Sequence, residues 1–185
     1  FIRENAKDFD LSNDMVCALG FSAGGHLCGC LATLFDEPIL KKTFAKHTHL
    51  IKPNAIVLCY PVIVSGQKSH SDSFDNLCGN DQELKQYLSL DQRVSPNSCP
   101  AFIWHTFTDA SVPVYNSLAY ALACEKNKVP FALHIFEKGT HGLSTAQIDT
   151  NSQDVISQAS TNIDQWTKLS IDWLKDRNIK ITPQK

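Results

Sequence analysis

One short segment of this 185-residue chain holds a serine in a setting typical of a nucleophile. The run Gly20-Phe21-Ser22-Ala23-Gly24 matches the pattern Gly-x-Ser-x-Gly, which chance produces about once in 15 chains of this size. An apolar run, residues 15–20, precedes it, and a stretch rich in Ala, Leu and Cys, residues 25–35, follows it. This context predicts a sharp strand-to-helix turn that exposes the Ser22 hydroxyl and turns the Ala23 N–H toward a developing oxyanion.

A serine nucleophile needs a general base, and the chain has seven histidines. His141 lies in Lys138-Gly139-Thr140-His141-Gly142, a glycine-flanked segment just after the last predicted strand, and we predict that it is the base. The other six have more ordinary settings: Lys-rich or polar stretches hold His47, His49 and His70, predicted strands hold His105 and His134, and His26 lies one turn into the predicted helix, where we expect a structural role.

The base in turn needs an acid that orients it, and Asp109 is the best candidate. It follows the predicted strand 101–105 by a few residues and precedes His141, which gives the order Ser, acid, His. An aspartate here could also serve only as a turn or helix cap. The alternative acids Asp75, Asp81 and Asp91 do not stand directly behind a predicted strand.

The elements that must position these residues alternate between strands and helices. Continuous apolar runs at 15–20, 55–60, 101–105 and 131–136 predict strands covered on both faces, the pattern of a parallel sheet. Helical patterns occupy 25–35, 113–127 and the C-terminal part of the chain, where Trp166 and Trp173 are expected to pack in the core. We therefore predict an α/β fold, with polar stretches 65–91 and 140–162 near the carboxyl ends of the strands.

Composition excludes several classes of protein. With 43% hydrophobic residues the chain is not disordered, and a net charge of −2 gives no reason to expect nucleic acid as a partner. No apolar run is long enough for a membrane span. The seven cysteines contain no Cys-x-x-Cys pair and resemble no metal site, so we expect buried free thiols in a cytoplasmic, reducing environment.

Residues 20–27, 104–114 and 133–143 together resemble the acetyl esterase/lipase family of α/β-hydrolases, in particular its acetylxylan-esterase-like branch. The segments Tyr60-Pro61-Val62-Ile63 and Ser73-Phe74-Asp75-Asn76-Leu77 are similar to that branch too, so the resemblance covers almost the whole chain. It implies the C-terminal part of an α/β-hydrolase fold and a hydrolase of short-chain, acetyl-type esters, including those of sugars. The implied site is a triad of Ser22, Asp109 and His141 that uses no metal or organic cofactor.

The family pattern includes an N-terminal portion with several strands and a His-Gly-Gly-type loop that donates a second oxyanion hydrogen bond, and this sequence contains neither. We therefore expect one domain, 1–185, that is incomplete at its N-terminus, with strand 15–20 at an apolar edge. Self-association into a homo-oligomer would cover that edge. Two alternatives stay open: a prolyl-oligopeptidase-type serine peptidase, and a catalytically silent domain that acts in binding or assembly.

Aromatic side chains near the predicted site are candidates for substrate contact. Phe21, Phe74 and Phe107 could stack on a sugar ring or wall an acyl pocket. Trp104 lies within a predicted strand, so we expect it in the core instead.

Overall fold

A single parallel sheet is the framework of the chain. In this computed structural model, which describes residues 1–179, the strands are β1 (Cys17–Phe21), β2 (Ala55–Cys59), β3 (Ala101–Thr106) and β4 (Phe131–Phe136). They are parallel throughout and stand in the order β1-β2-β3-β4. Each carboxyl end therefore opens onto the same edge of the sheet, and all four predicted strands are confirmed with small shifts of their ends.

Burial separates the two central strands from the two outer ones. Every residue of β2 and β3 is buried, because both strands have a neighbour on each side and helices on both faces. The expectation that all four strands are covered on both faces is wrong for β1 and β4, whose residues are mostly only partly buried and of which Leu19 is 49% exposed. The physical reason is their place in the sheet, since an outer strand has a partner on one side only.

Seven α-helices lie within the described residues. They are α1 (Ala23–Thr33), α2 (Pro38–Phe44), α3 (Ser71–Cys78), α4 (Gln82–Tyr87), α5 (Tyr115–Lys126), α6 (Gln153–Ser157) and α7 (Trp166–Lys175). Short 3-10 helices cover Ala6–Phe9, Ala45–Leu50, Leu90–Gln92 and Ile163–Gln165. The predicted helices near 25–35, 113–127 and the C-terminus correspond to α1, α5 and α7. The polar N-terminal residues form only a single 3-10 turn.

Two apolar layers enclose the sheet, and the alternation of side chains along β2 and β3 creates them. Ile56, Leu58 and Ile103 face a core shared with α1 and α5. Phe102 and Trp104 face the opposite core, which contains residues of the C-terminal helix. Trp104 is fully buried, and its ring stacks on the ring of Trp166 with centroids 5.1 Å apart, as expected for core residues.

The polar stretch 65–91 is a helical layer rather than an open loop. Helices α3 and α4 pack on each other, and Leu90 fits against Gly29 of α1. Asn116 of α5 anchors the start of this stretch, because its buried side-chain oxygen accepts hydrogen bonds from the N–H groups of Ile63 and Val64. The segment after β2 is thus tied to the start of α5, the helix that follows β3.

All seven cysteines are free thiols. Burial raises the pKa of Cys17, Cys99 and Cys124 to about 12, so these three behave as small apolar side chains at neutral pH. Within residues 1–179, no helix has the length and apolar character that a bilayer crossing requires.

Candidate active site

Ser22 occupies a strained turn between β1 and α1. Its backbone has φ 54° and ψ −118°, a conformation that non-glycine residues rarely adopt. The surrounding chain holds it there on both sides: the Ser22 N–H donates to the Cys59 carbonyl at 3.0 Å, and the Ser22 carbonyl accepts from Val62 N–H at 3.1 Å. The end of β2 therefore fixes the serine, and its side chain projects from the carboxyl edge of the sheet.

The glycines around Ser22 differ in how much space their surroundings leave for a side chain. A Cβ on Gly20 would lie 2.1 Å from the carbonyl oxygen of Gly24, and a Cβ on Gly25 would lie 2.7 Å from the Cβ of Pro61. A Cβ on Gly24 would meet no atom within 4 Å. The first glycine of the Gly-x-Ser-x-Gly pattern is therefore required for close packing of the helix on the strand, whereas the second leaves room for a methyl group.

These contacts predict opposite outcomes for two matched substitutions. Gly20→Ala should lower the free energy of unfolding by about 3 kcal/mol, because the clash is with backbone and cannot relax by side-chain motion. Gly24→Ala should change it by less than about 1 kcal/mol, on the stabilising side, since alanine favours a helix. Denaturant midpoints of the two variants and the parent decide the matter, and equal destabilisation by both would contradict the packing argument.

In the structure, hydrogen bonds connect the three predicted catalytic residues, Ser22, His141 and Asp109, in one line. His141 Nε2 lies 2.8 Å from Ser22 Oγ, and His141 Nδ1 lies 2.6 Å from Asp109 Oδ2. An ionised carboxylate only accepts hydrogen bonds, so Nδ1 carries the proton and Nε2 is left with a lone pair for the Ser22 hydroxyl. This is the protonation state in which a histidine can remove a proton from a serine.

Asp109 is held as a carboxylate by four donors. Its Oδ1 accepts from the N–H groups of Ser111 and Val112, both at 2.9 Å, and its Oδ2 faces ring nitrogens of His141 and His105. Burial of the side chain favours the protonated form, but hydrogen bonds from His105, His141 and Val112 outweigh it and hold the pKa of Asp109 well below its usual value. Asp109 is therefore charged wherever the protein is folded near neutral pH.

Backbone and aromatic contacts position His141. The hydroxyls of Thr106 and Thr108 both donate to the Gly139 carbonyl, which ties the His141 loop to the end of β3. The Tyr60 ring packs edge-on against the His141 ring with centroids 4.9 Å apart, and the Tyr60 hydroxyl accepts from Ser144 N–H at 2.9 Å. The His141 side chain stays 21% exposed, so it is fixed but reachable by a substrate.

Ala23 is the first residue of α1 and stands next to Ser22. As in any helix, its N–H has no carbonyl acceptor one turn earlier within the helix. In the part of the chain that the structure describes, the Ala23 N–H donates to no other protein group. The structure thus leaves this donor available beside the serine, where an oxyanion is predicted to form.

The three aromatic candidates for substrate contact occupy different surroundings. Phe74 is buried in α3 and lines a cavity of about 570 Å³ that begins at Ala23 and runs along α1. Phe21 packs on the rings of Tyr60 and Trp166, one aromatic layer behind His141. Phe107 is 66% exposed, two residues before Asp109. All three stay candidates for substrate contact.

His26 has the structural role that its position one turn into the helix predicts. Its Nε2 donates to the Leu88 carbonyl at 2.9 Å, and its ring packs edge-on against Phe74. His105 is buried and hydrogen-bonded, as expected for a core residue of a strand, but it also contacts Asp109 directly, which was not predicted. Its position four residues before Asp109 was the available signal. Among residues 1–179, no group of three or more His, Cys, Asp or Glu side chains is arranged to hold a metal ion.

The surroundings of His26 predict how stability depends on pH. Burial lowers the pKa of His26 below its ordinary value of 6.5, against the opposing effect of the Leu88 hydrogen bond. The unfolded chain therefore binds more protons, and stability falls as pH drops below about 6.5. His134, whose pKa is also lowered by burial, contributes in the same direction. Asp109 does not add to the pH dependence of stability near pH 6.5, because the stability that a lowered carboxyl pKa contributes is lost only at more acidic pH.

His26→Gln separates these effects, because its amide can still donate to Leu88 but does not titrate. Denaturant midpoints between pH 7.5 and 5.5 should fall less steeply for this variant than for the parent. An identical slope in parent and variant would contradict the prediction.

Comparison with known proteins identifies a matching family and several proteins that are similar to this chain. Residues 1–123 match the model of a family described as BD-FAE. Endo-1,4-beta-xylanase B of Butyrivibrio fibrisolvens is 41% identical over 150 residues, and acetylxylan esterase of Xylanibacter ruminicola is 29% identical over 148 residues. The alignments cover 79% and 76% of this chain but 23% and 28% of those proteins. The chain spans about a quarter of the length of these curated relatives.

Solved structures share the fold over nearly the whole chain. An acetyl ester-xyloside bifunctional hydrolase from Caldicellulosiruptor lactoaceticus superposes with a TM-score of 0.81 at 38% sequence identity. The superposition covers 96% of this chain and 62% of the chain of that hydrolase. The carboxylesterase Cest-2923 from Lactobacillus plantarum gives 0.79 at 30% identity, covering 98% and 66%. The fold class is therefore confirmed, and the homologues include hydrolases that act on esters.

Proposed function

Because this chain belongs to the BD-FAE family of α/β-hydrolases, we propose that it hydrolyses carboxylic esters through an acyl-enzyme formed on Ser22. The observation that carries the proposal is the hydrogen-bonded line from Ser22 through His141 to Asp109 at the carboxyl edge of a parallel sheet. Ligands of open α/β folds bind at that edge. The names of the relatives support an ester as the substrate.

The proposed reaction has two halves. His141 Nε2 takes the Ser22 proton as Oγ bonds to the ester carbonyl carbon, and the protonated ring then gives that proton to the departing alcohol oxygen. Water attacks the acyl-enzyme in the second half, again with His141 as base, and the acid leaves. Asp109 keeps Nδ1 protonated and stabilises the charged imidazole that forms in each half.

We assign one oxyanion donor to this chain, the Ala23 N–H. It lies at the N-terminus of α1, where the helix dipole adds to the attraction for a negative oxygen. The strained backbone of Ser22 supports this role, because in a nucleophile elbow such a conformation exposes the serine oxygen beside the following N–H. Loss of one such donor lowers the rate by about 10²–10³-fold in enzymes of this type.

The cavity between α1 and α3 is our candidate for the acyl site. It begins at Ala23 and is lined by apolar side chains that include Phe74, Leu77 and Leu88, whereas His141 is not part of its wall. The departing alcohol must lie near His141 to receive its proton, so the acyl group points the other way, toward this cavity. At about 570 Å³ the cavity exceeds what an acetyl group fills, and we expect other short acyl groups to be accepted.

The proposed substrates are short-chain esters, acetyl esters of sugars among them. Two relatives support acetyl esters by their names, an acetylxylan esterase and an acetyl ester-xyloside bifunctional hydrolase. The decisive assay compares 4-nitrophenyl acetate and butyrate, acetylated xylo-oligosaccharides and a peptide 4-nitroanilide. Turnover of esters without turnover of the anilide is expected. Cleavage of the anilide with no ester hydrolysis would favour a peptidase instead.

A substitution at the cavity mouth tests the acyl site separately. Leu77 of α3 is 56% exposed and lines the cavity, so Leu77→Trp should narrow it with little effect on folding. The ratio of butyrate to acetate hydrolysis should fall by about tenfold, because the pocket discriminates between acyl groups by their methylenes. Leu122→Trp, at a 66% exposed position of α5, is the control. An unchanged ratio in Leu77→Trp would place the acyl group elsewhere.

A further inference from the structure

His105 in β3 has more polar contacts than packing in a core requires. Its side chain is fully buried, and both ring nitrogens have partners. Nδ1 lies 2.8 Å from Ser117 Oγ, and Nε2 lies 2.9 Å from the Val112 carbonyl oxygen and 3.2 Å from Asp109 Oδ2. An imidazole in this position needs all these partners, because a buried polar group without them is strongly destabilising.

The partners determine where the proton of His105 lies. The Val112 carbonyl can only accept, so Nε2 carries the hydrogen and shares it between Val112 and Asp109. Nδ1 then has the lone pair, and the buried Ser117 hydroxyl donates to it. Hydrogen bonds therefore converge on the Asp109 carboxylate from two directions, from Ser117 through His105 and from Ser22 through His141.

Asp109 Oδ2 is the atom where the two chains of hydrogen bonds meet. It is 2.6 Å from His141 Nδ1 and 3.2 Å from His105 Nε2. Both rings therefore donate a hydrogen bond to the same oxygen of a single negatively charged carboxylate. The other oxygen is occupied by the N–H groups of Ser111 and Val112. The His105 N–H thus fixes the rotation of the carboxylate and takes up part of the charge that would otherwise stabilise protonated His141.

We propose that His105, held by Ser117, is a positioning residue of the esterase site, which aligns Asp109 Oδ2 with His141 and limits how strongly the carboxylate binds the protonated His141 ring. This inference rests on the function proposed above. His105 touches no substrate, so its removal should affect kcat and the pH profile and leave KM unchanged. Removal of a residue that only fills space in the core would change neither kcat nor the pH profile.

The other titratable group that faces His141 does not interfere with this test. The Tyr60 ring packs against His141, and burial raises the pKa of Tyr60 to about 12, so its charge is constant below pH 9. Tyr60 therefore contributes no titration between pH 5 and 8.

The test uses three variants of the whole chain. In His105→Leu the N–H is absent, and kcat should fall about 10- to 100-fold, the range for one hydrogen bond to a charged group. The titration midpoint of His141, followed by ¹⁵N NMR, should move to higher pH by about one unit, because Asp109 then offers its full charge to His141. His105→Gln restores an N–H and should recover part of both effects. His134→Leu, a β4 histidine stacked on Phe102, is the control and should change neither.

The NMR titration needs no turnover, which separates this inference from the proposed function. A folded His105→Leu variant with an unchanged His141 midpoint would overturn the inference, whatever its activity. A shifted midpoint in a protein that hydrolyses no ester would support the coupling and overturn the esterase proposal instead. If His105→Leu fails to fold, His105→Phe takes its place, because phenylalanine keeps a ring but lacks the N–H that donates to Asp109, and the same shift of the His141 midpoint is expected.

Discussion

Replacing Ser22 with alanine should reduce ester hydrolysis by on the order of 10⁶-fold, the loss measured when the nucleophile of a serine hydrolase is removed. The serine hydroxyl contacts His141 at 2.8 Å, and its backbone bonds to Cys59 and Val62 do not involve the side chain. Folding should therefore be unaffected, and circular dichroism and denaturant midpoints should match the parent. The measurement is kcat/KM for 4-nitrophenyl acetate.

A second serine provides the control for this variant. Ser157 is exposed in α6, and its hydroxyl donates to the Asp154 carbonyl, so Ser157→Ala should keep the activity of the parent. Equal activity in parent and Ser22→Ala would exclude Ser22 as the nucleophile.

Asp109→Asn should have the second largest effect, a fall in kcat of about 10⁴-fold with little change in KM. One amide oxygen can still accept from Ser111 and Val112, but the amide NH₂ then faces the ring N–H groups of His141 and His105. Two donors cannot pair, so His141 takes the tautomer with its proton on Nε2. In that tautomer it cannot accept the Ser22 proton.

The other acids considered in the sequence provide matched controls for Asp109→Asn. Asp75 pairs with Lys85 on the surface, and Asp91 accepts a hydrogen bond from Ser89 Oγ at 2.7 Å. Asp75→Asn and Asp91→Asn should both retain the kcat of the parent. A loss of similar size in either control, or none in Asp109→Asn, would remove Asp109 from the mechanism.

Much of the fold is predictable because the strands can be recognised from the local sequence alone. Runs such as Ile56-Val57-Leu58 and Phe102-Ile103-Trp104 are apolar at every position, as expected of short strands buried on both faces. The site is predictable for a related reason. In a parallel sheet the segments after the strands meet at one edge, so Asp109 after β3 and His141 after β4 come together with Ser22 after β1.

The remaining features depend on contacts between residues distant in sequence. His105 is predicted to be a core residue because it lies in an apolar run, and its spacing of four residues from Asp109 does not by itself indicate that its ring meets Asp109 and Ser117. The polar composition of residues 65–91 suggests an open stretch, whereas tertiary packing on α1 stabilises helices there. The differing roles of Gly20 and Gly24 likewise follow from three-dimensional clearance, which a motif cannot express.

Labelling with a fluorophosphonate, read by intact mass on this chain and on Ser22→Ala, tests the central claim most directly. The probe reacts with a serine only when a neighbouring base activates it, so it reports on Ser22 and His141 together, independently of the ester chosen. We expect a single adduct on the parent and none on the variant. A folded parent that takes up no probe, or a Ser22→Ala variant labelled as fully as the parent, would contradict this account of the site.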